Sequence, residues 1–183
     1  MRLMALVGAV LAATSAPAMA AWHGYISHPL GFAFAAPGEL KVEKGIYHSA
    51  LVGPRATLVC RFVDDNIEYK AVVIDMRDRA NDSAALLGEA EYVFQENRKV
   101  LMDTFGRVDN QYGRRFTVEL PNNGGRTTGA FYFINGRIVQ LQATVPPASG
   151  DYDTPEMGRF VDSITFFTVR AADDAIELPL PPK

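Results

Sequence analysis

Three histidines, one cysteine and a run of arginines are the residues of this 183-residue chain whose chemistry reaches beyond packing. His23, His28 and His48 all lie soon after residue 20. A zinc centre needs three or four ligands that close around the ion. His23 and His28 flank Gly24 and sit beside Pro29, which is not a ligand spacing that a helix or strand supplies. With carboxylates such as Glu43 the three could gather in the fold. Ordinary strand histidines are the simpler account. Cys60 alternates in phase with Leu58 and Phe62, so it reads as a small buried apolar side chain. No base or helix N-terminus stands near it to make a reactive thiolate. One cysteine permits no intramolecular disulfide.

Nucleophilic and cofactor chemistry find no motif. There is no Gly-x-Ser-x-Gly elbow, and Ser27, Ser49 and Ser163 occupy strand or helix-end contexts. Gly124-Gly125 and Gly136 do not follow a strand and open a helix, so they are turns rather than phosphate cradles. Asp75, Asp78 and Asp82 lack the spacing, glycine and terminal glutamate of an EF-hand. The sequence therefore implies no cofactor and no catalytic set. The arginines Arg107, Arg114, Arg115, Arg126 and Arg137 are the most distinctive polar feature. Adjacent antiparallel strands would bring some of them onto one exposed face, a basic patch suited to an acidic partner or an anionic ligand. The competing account is solubilising charge with cross-strand partners such as Glu119. On the patch reading, reversing Arg114 and Arg126 to Glu leaves folding intact and weakens the partner. The formal net charge of -3 gives no broad attraction to nucleic acid or anionic lipid.

Export is the expectation from the N-terminus. Arg2 precedes an apolar run from Ala5 to Ala13, and Ala18-Met19-Ala20 places small residues where a signal peptidase reads them. The run is too short for a hydrocarbon core, which takes about 20 residues. Cleavage after Ala20, with Ala18 and Ala20 as the recognised positions, would leave one domain over 21–170 and an acidic, then Pro-rich tail over 171–183. Ala21, not a cysteine, directly follows the cleavage site, so a lipid anchor is not expected. The expected location is periplasmic or secreted, with no stable membrane insertion of the mature chain.

The elements that must position these residues follow from periodicity. Trp22 to Tyr25 and Gly31 to Ala35 read as short aromatic strands, and Ile46 to Val52 as a weaker one. Thr57 to Val63 and Tyr69 to Met76 read as a hairpin around Asp64-Asp65-Asn66. The clearest helix starts near Asn81-Asp82-Ser83, whose oxygens are N-cap candidates. Leu86, Leu87, Ala90, Val93, Phe94 and Leu101 keep helical spacing, which runs the helix to about Asp103, with Gly106 ending it. Glu91 falls on its polar face. Arg115 to Leu120, Thr127 to Ile134 and Ile138 to Val145 alternate as a three-stranded meander. Asn135-Gly136 suits a type I′ turn, in which both central residues need φ > 0. Thr154-Pro155 opens a short helix striped by Met157, Phe160, Val161 and Ile164, followed by a strand from Ile164 to Val169. Strands, long helix, strands, short helix is an α+β order with an antiparallel sheet.

Several of these segments resemble PsbP-like domains of the Mog/PsbP superfamily. The likeness is carried by Trp22…Tyr25, Gly31-Phe32-Ala33-Phe34…Pro37-Gly38 and Tyr112-Gly113-Arg114-Arg115-Phe116. It continues in Gly124-Gly125-Arg126, Phe131-Tyr132…Gly136-Arg137-Ile138-Val139-Gln140-Leu141 and Arg159-Phe160-Val161-Asp162-Ser163-Ile164. The resemblance implies a central antiparallel sheet flanked by helices, an α/β/α sandwich. It also implies a protein that acts by binding, as do a photosystem II accessory subunit and a GTPase-binding nuclear protein of this superfamily. It transfers no active-site residue. The expected function is an exported, non-enzymatic accessory protein working through protein contact. The alternatives are a carrier of a small apolar or anionic ligand, marked by a lined cavity, and an enzyme, marked by a histidine, carboxylate and nucleophile in one cleft.

Overall fold

The computed structural model describes residues 22–64, 67–147, 152, 154–167 and 176–178. The expected export segment, with Ala18 and Ala20, lies outside these residues, as does most of the expected tail.

Among the described residues, eleven strands and two α-helices succeed one another. The first five strands are β1 His23–Ser27, β2 Phe32–Ala36, β3 Lys41–Ser49, β4 Gly53–Val63 and β5 Glu68–Asp75. A 3-10 segment, Arg77–Asp82, leads into α1, Ser83–Gln95. Then come β6 Lys99–Val108, β7 Gln111–Glu119, β8 Arg126–Ile134 and β9 Arg137–Val145. The last elements among the described residues are α2 Pro155–Asp162, β10 Thr165–Phe166 and β11 Ile176–Glu177. Strands β3-β4-β5-β9-β8-β7-β6 form a seven-stranded sheet whose neighbours all pair antiparallel. A small sheet, β10-β2-β1-β11, stands apart from it.

Side chains alternate across the large sheet, and both of its faces are covered. Ile74, Phe116, Phe131 and Ile138 pack under Leu86, Ala90 and Phe94 of α1. On the other face Tyr69, Ala71, Val73, Ala130, Val139 and Leu141 meet Met157, Phe160 and Val161 of α2, with Tyr25, Phe32 and Phe34 of the small sheet. The α+β class and the antiparallel sheet are as expected. The single central sheet is not, because the second face is shared between α2 and four further strands. Cys60 is 1% exposed in that core, and burial pushes its thiol up to about 11. A thiol so held stays protonated and unreactive.

The long helix is shorter than its sequence period implies. Glu96 leaves helical geometry at φ -55, ψ 130, and Asn97 takes a left-handed φ of 58. Asn tolerates that conformation better than most residues, which makes it a helix terminator. Lys99–Val108 is then strand, so Leu101 and Gly106 do not belong to the helix or its cap. Val93 is 45% exposed rather than part of the buried stripe. Neither helix uses its expected cap. The Asp82 carboxylate turns back to Arg79 at 2.7 Å, and the buried Thr154 hydroxyl has no hydrogen-bond partner. Glu89 instead fixes α1 to the β3–β4 turn. It accepts the Ser49 hydroxyl at 2.6 Å and the backbone N–H groups of Ala50 and Leu51. The Asn135-Gly136 turn is as expected, with φ of 48 and 71.

Candidate functional site

The five arginines do not share one face. Residues paired across antiparallel strands project to the same side. Arg114 pairs with Phe105, and Tyr112 with Arg107, so these four stand on the α1 side of β6 and β7. Arg115 is one step along β7 and projects to the opposite side, where it meets Asp162 of α2 at 2.5 Å. Arg126 faces Glu119 at 3.8 Å and lies over the Tyr152 ring. Arg137 donates to the Asn135 carbonyl at 3.1 Å. A single basic patch is therefore replaced by two separate groups, each with acidic or carbonyl partners.

The α1-side group makes the stronger site. Phe105 is 85% exposed and Tyr112 71%. Both are held by cations: Arg114 lies 5.0 Å from the Phe105 ring and Arg107 lies 5.4 Å from the Tyr112 ring. Arg114 also spans the Phe116 ring at 5.2 Å, so its planar guanidinium connects surface and core. It grips Asp103 in a fork at 3.0 and 2.7 Å and reaches Glu91 at 3.4 Å. Between α1 and this strand pair runs a groove of about 550 Å³, lined by Glu91, Tyr92, Gln95 and Arg114 among others. Tyr92 is 64% exposed on its helical wall. The β6–β7 turn is pinned by Asp109, which accepts the Phe166 backbone N–H at 2.9 Å and so ties the hairpin tip to the small sheet. The surface is rigid, aromatic and cationic only in part.

Glu91 is the buried member of this group. Burial raises its carboxyl above the ordinary glutamate range, and the pull of Arg114 only partly offsets this. The folded state thus holds the proton more tightly than the unfolded chain. Stability is largest below the ordinary value near 4.3 and falls as pH climbs through the folded value. Glu91→Gln removes that loss. Thermal melts from pH 4 to 7 should show the variant gaining on the wild type as pH rises. A pH-independent gap would refute the burial account.

The histidines are scattered. His23 is exposed on β1, His28 is exposed in the following turn against Phe167, and His48 is exposed on β3 of the other sheet. Among the described residues no three His, Cys, Asp or Glu side chains lie where they could hold a metal ion. His23, His28 and His48 thus stand at separate, exposed places in the fold. Phe105 and Tyr112 carried no expectation as site residues, because the helix read to about Asp103, with Gly106 ending it, displaced β6, and the meander was read only from Arg115. Asp109-Asn110 between the alternating Thr104…Val108 and Tyr112…Val118 was the available signal.

The seven-stranded antiparallel sheet, with helices and a second small sheet packed on it, resembles the PsbP-like fold. The chain matches the solution structure of cyanobacterial PsbP (CyanoP) from Synechocystis sp. PCC 6803 with a TM-score of 0.53. The match has 12% identity and covers 86% of this chain and 99% of that one. No family model matches the sequence, and no curated protein does. The likeness is one of fold, which leaves function to the site.

Proposed function

We propose that this is an exported, non-catalytic binding protein that docks another protein along β6 and the aromatic surface beside it. The observation that carries the reading is Phe105, almost fully exposed at the middle of a ten-residue strand on the open edge of the sheet. A two-residue turn makes Val108 and Gln111 the closing hydrogen-bonded pair of the β6–β7 hairpin. Alternation then turns the backbone N–H and C=O groups of Asp103, Phe105 and Arg107 outward. An extended segment of a partner can add there as a strand, with Phe105 and Tyr112 as side-chain anchors. Export rests on the charge, apolar run and small residues of the first twenty positions. Among the described residues no helix is long and apolar enough to cross a membrane.

Site-specific photocrosslinking tests the docking. A benzophenone side chain replaces Phe105 in one protein and Val63, 59% exposed on β4, in another. Expected is a discrete heterologous adduct from position 105 that Tyr112→Ala abolishes. Tyr112→Ala should itself change stability by less than about 0.5 kcal/mol, as an exposed substitution. Identical adducts from both positions, adducts with the same chain only, or none would overturn the reading.

A further inference from the structure

A second site lies on the opposite face of the large sheet, at its far end. Strands β3, β4, β5 and β9 there leave a cleft of about 410 Å³ beneath the β1–β2 turn. Its floor is apolar: Leu30, Leu58 and Val73 belong to the main core yet open onto it. Its rim is charged, with Arg77 and Arg137 beside Asp75, and Lys44 also lines it. Arg77 forks onto Asp75, with its Nε at 2.9 Å and a terminal nitrogen at 2.5 Å. Arg137 on β9 sits directly opposite Asp75 on β5 and spends one terminal nitrogen on the Asn135 carbonyl. The next depression along the strands holds Arg55 and Asp78, which neutralise one another at 2.9 Å. They leave Arg77 and Arg137 to outnumber Asp75 in the cleft.

Two arginines beside one carboxylate, only Arg77 paired with it, are an unbalanced arrangement. Arg137 is partly desolvated, and burial and the neighbouring Arg77 both pull its pKa down, burial more strongly. An incoming anion relieves that repulsion, and an apolar body covers the floor. A volume of this size lies in the range of small-molecule sites. We propose that the cleft binds a small organic carboxylate, its apolar chain on Leu30, Leu58 and Val73 and its carboxylate on Arg77 and Arg137. Guanidinium forks match a carboxylate in both geometry and charge. The site is separate from the β6 surface in residues and position, so each stands or falls alone.

The probes are octanoate, octan-1-ol and inorganic phosphate, titrated into isotope-labelled full chain and followed by amide chemical shifts. Octanoate should saturate and shift residues of 44–45, 56–58, 73–77 and 137. Octanol and phosphate, each lacking one half of the match, should bind at least tenfold more weakly. Arg137→Gln should weaken octanoate at least tenfold while the remaining spectrum and the melting temperature stay close to wild type. Arg77→Gln, at a more exposed position, is the second variant should Arg137→Gln perturb the fold. Equal binding of octanol, shifts elsewhere on the chain, or octanoate binding untouched by both variants would overturn the assignment.

Discussion

Phe131→Ala should lower stability by about 3–5 kcal/mol, the range for removing a buried aromatic ring. Phe131 is fully buried on β8, in the centre of the sheet. Its ring meets Phe94 of α1 at 4.9 Å and Phe116 of β7 at 5.7 Å, both near edge-to-face. Gly129, two residues earlier on the same face, supplies the space. A Cβ there would stand 3.0 Å from the rings of both Phe131 and Phe94. The helix thus docks by seating Phe94 into a hole that glycine opens and two phenylalanines wall. Without the Phe131 ring, α1 loses the larger part of its footing. For a chain of this length the melting temperature should fall by roughly 10 °C or more. Hydrogen exchange should report lost protection in α1 before the β5–β9 pairing. A drop under about 1 kcal/mol, or uniform loss of protection, would show that α1 is held chiefly by other contacts, such as Glu89 on the β3–β4 turn.

How much of this was readable in the chain depended on whether the decisive interaction was local. Asn135-Gly136 announced its turn because the two residues themselves supply the positive φ. Pro155 placed the start of α2 for an equally local reason, its fixed φ and missing N–H. The end of α1 failed the same test. Leu101 continues the helical spacing of Ala90 and Phe94 by coincidence, while a bulge between Val100 and Met102 breaks the strand alternation that would have competed. The stop is a single asparagine, Asn97, whose left-handed turn is easy to overlook inside a polar stretch. The union of hairpin and meander into one sheet, through β5 and β9, was hidden for another reason. That pairing joins segments on either side of α1, and nothing local encodes it.

The arginines show the same division at the level of the site. That Arg114 and Arg115 point to opposite faces follows from strand geometry alone. What each meets there does not. Asp162 comes from α2 and Glu91 from α1, so the sequence offered a charged surface where the fold builds two cross-linking points. The exposed remainder is aromatic. Phe105 and Tyr112 are exposed, while α1 seats Glu91 against Arg114 and Phe94 against Phe116, further from the β6–β7 tip.

Arg114→Glu consequently does not separate binding from folding, contrary to the simpler expectation of a free surface charge. The guanidinium is held by Asp103 and Glu91, and Glu91 has only 9% of its side chain exposed. Reversal places a third carboxylate against two others and leaves the buried one unpaired. Breaking a buried ion pair costs about 3–5 kcal/mol. Arg114 and Asp103 are each about one-third exposed, and water screens part of this, so about 2–3 kcal/mol is expected. The penalty should shrink as pH falls towards 4, where the crowded carboxylates take up protons. Glu91→Gln in the same chain should restore part of the loss at neutral pH, which makes the two substitutions non-additive. Denaturant titration of the four proteins in that cycle, at pH 7 and again near 4, measures both effects. Strict additivity, or a penalty unchanged by acid, would mean that Arg114 acts through its stacking on Phe105 and Phe116 rather than through charge.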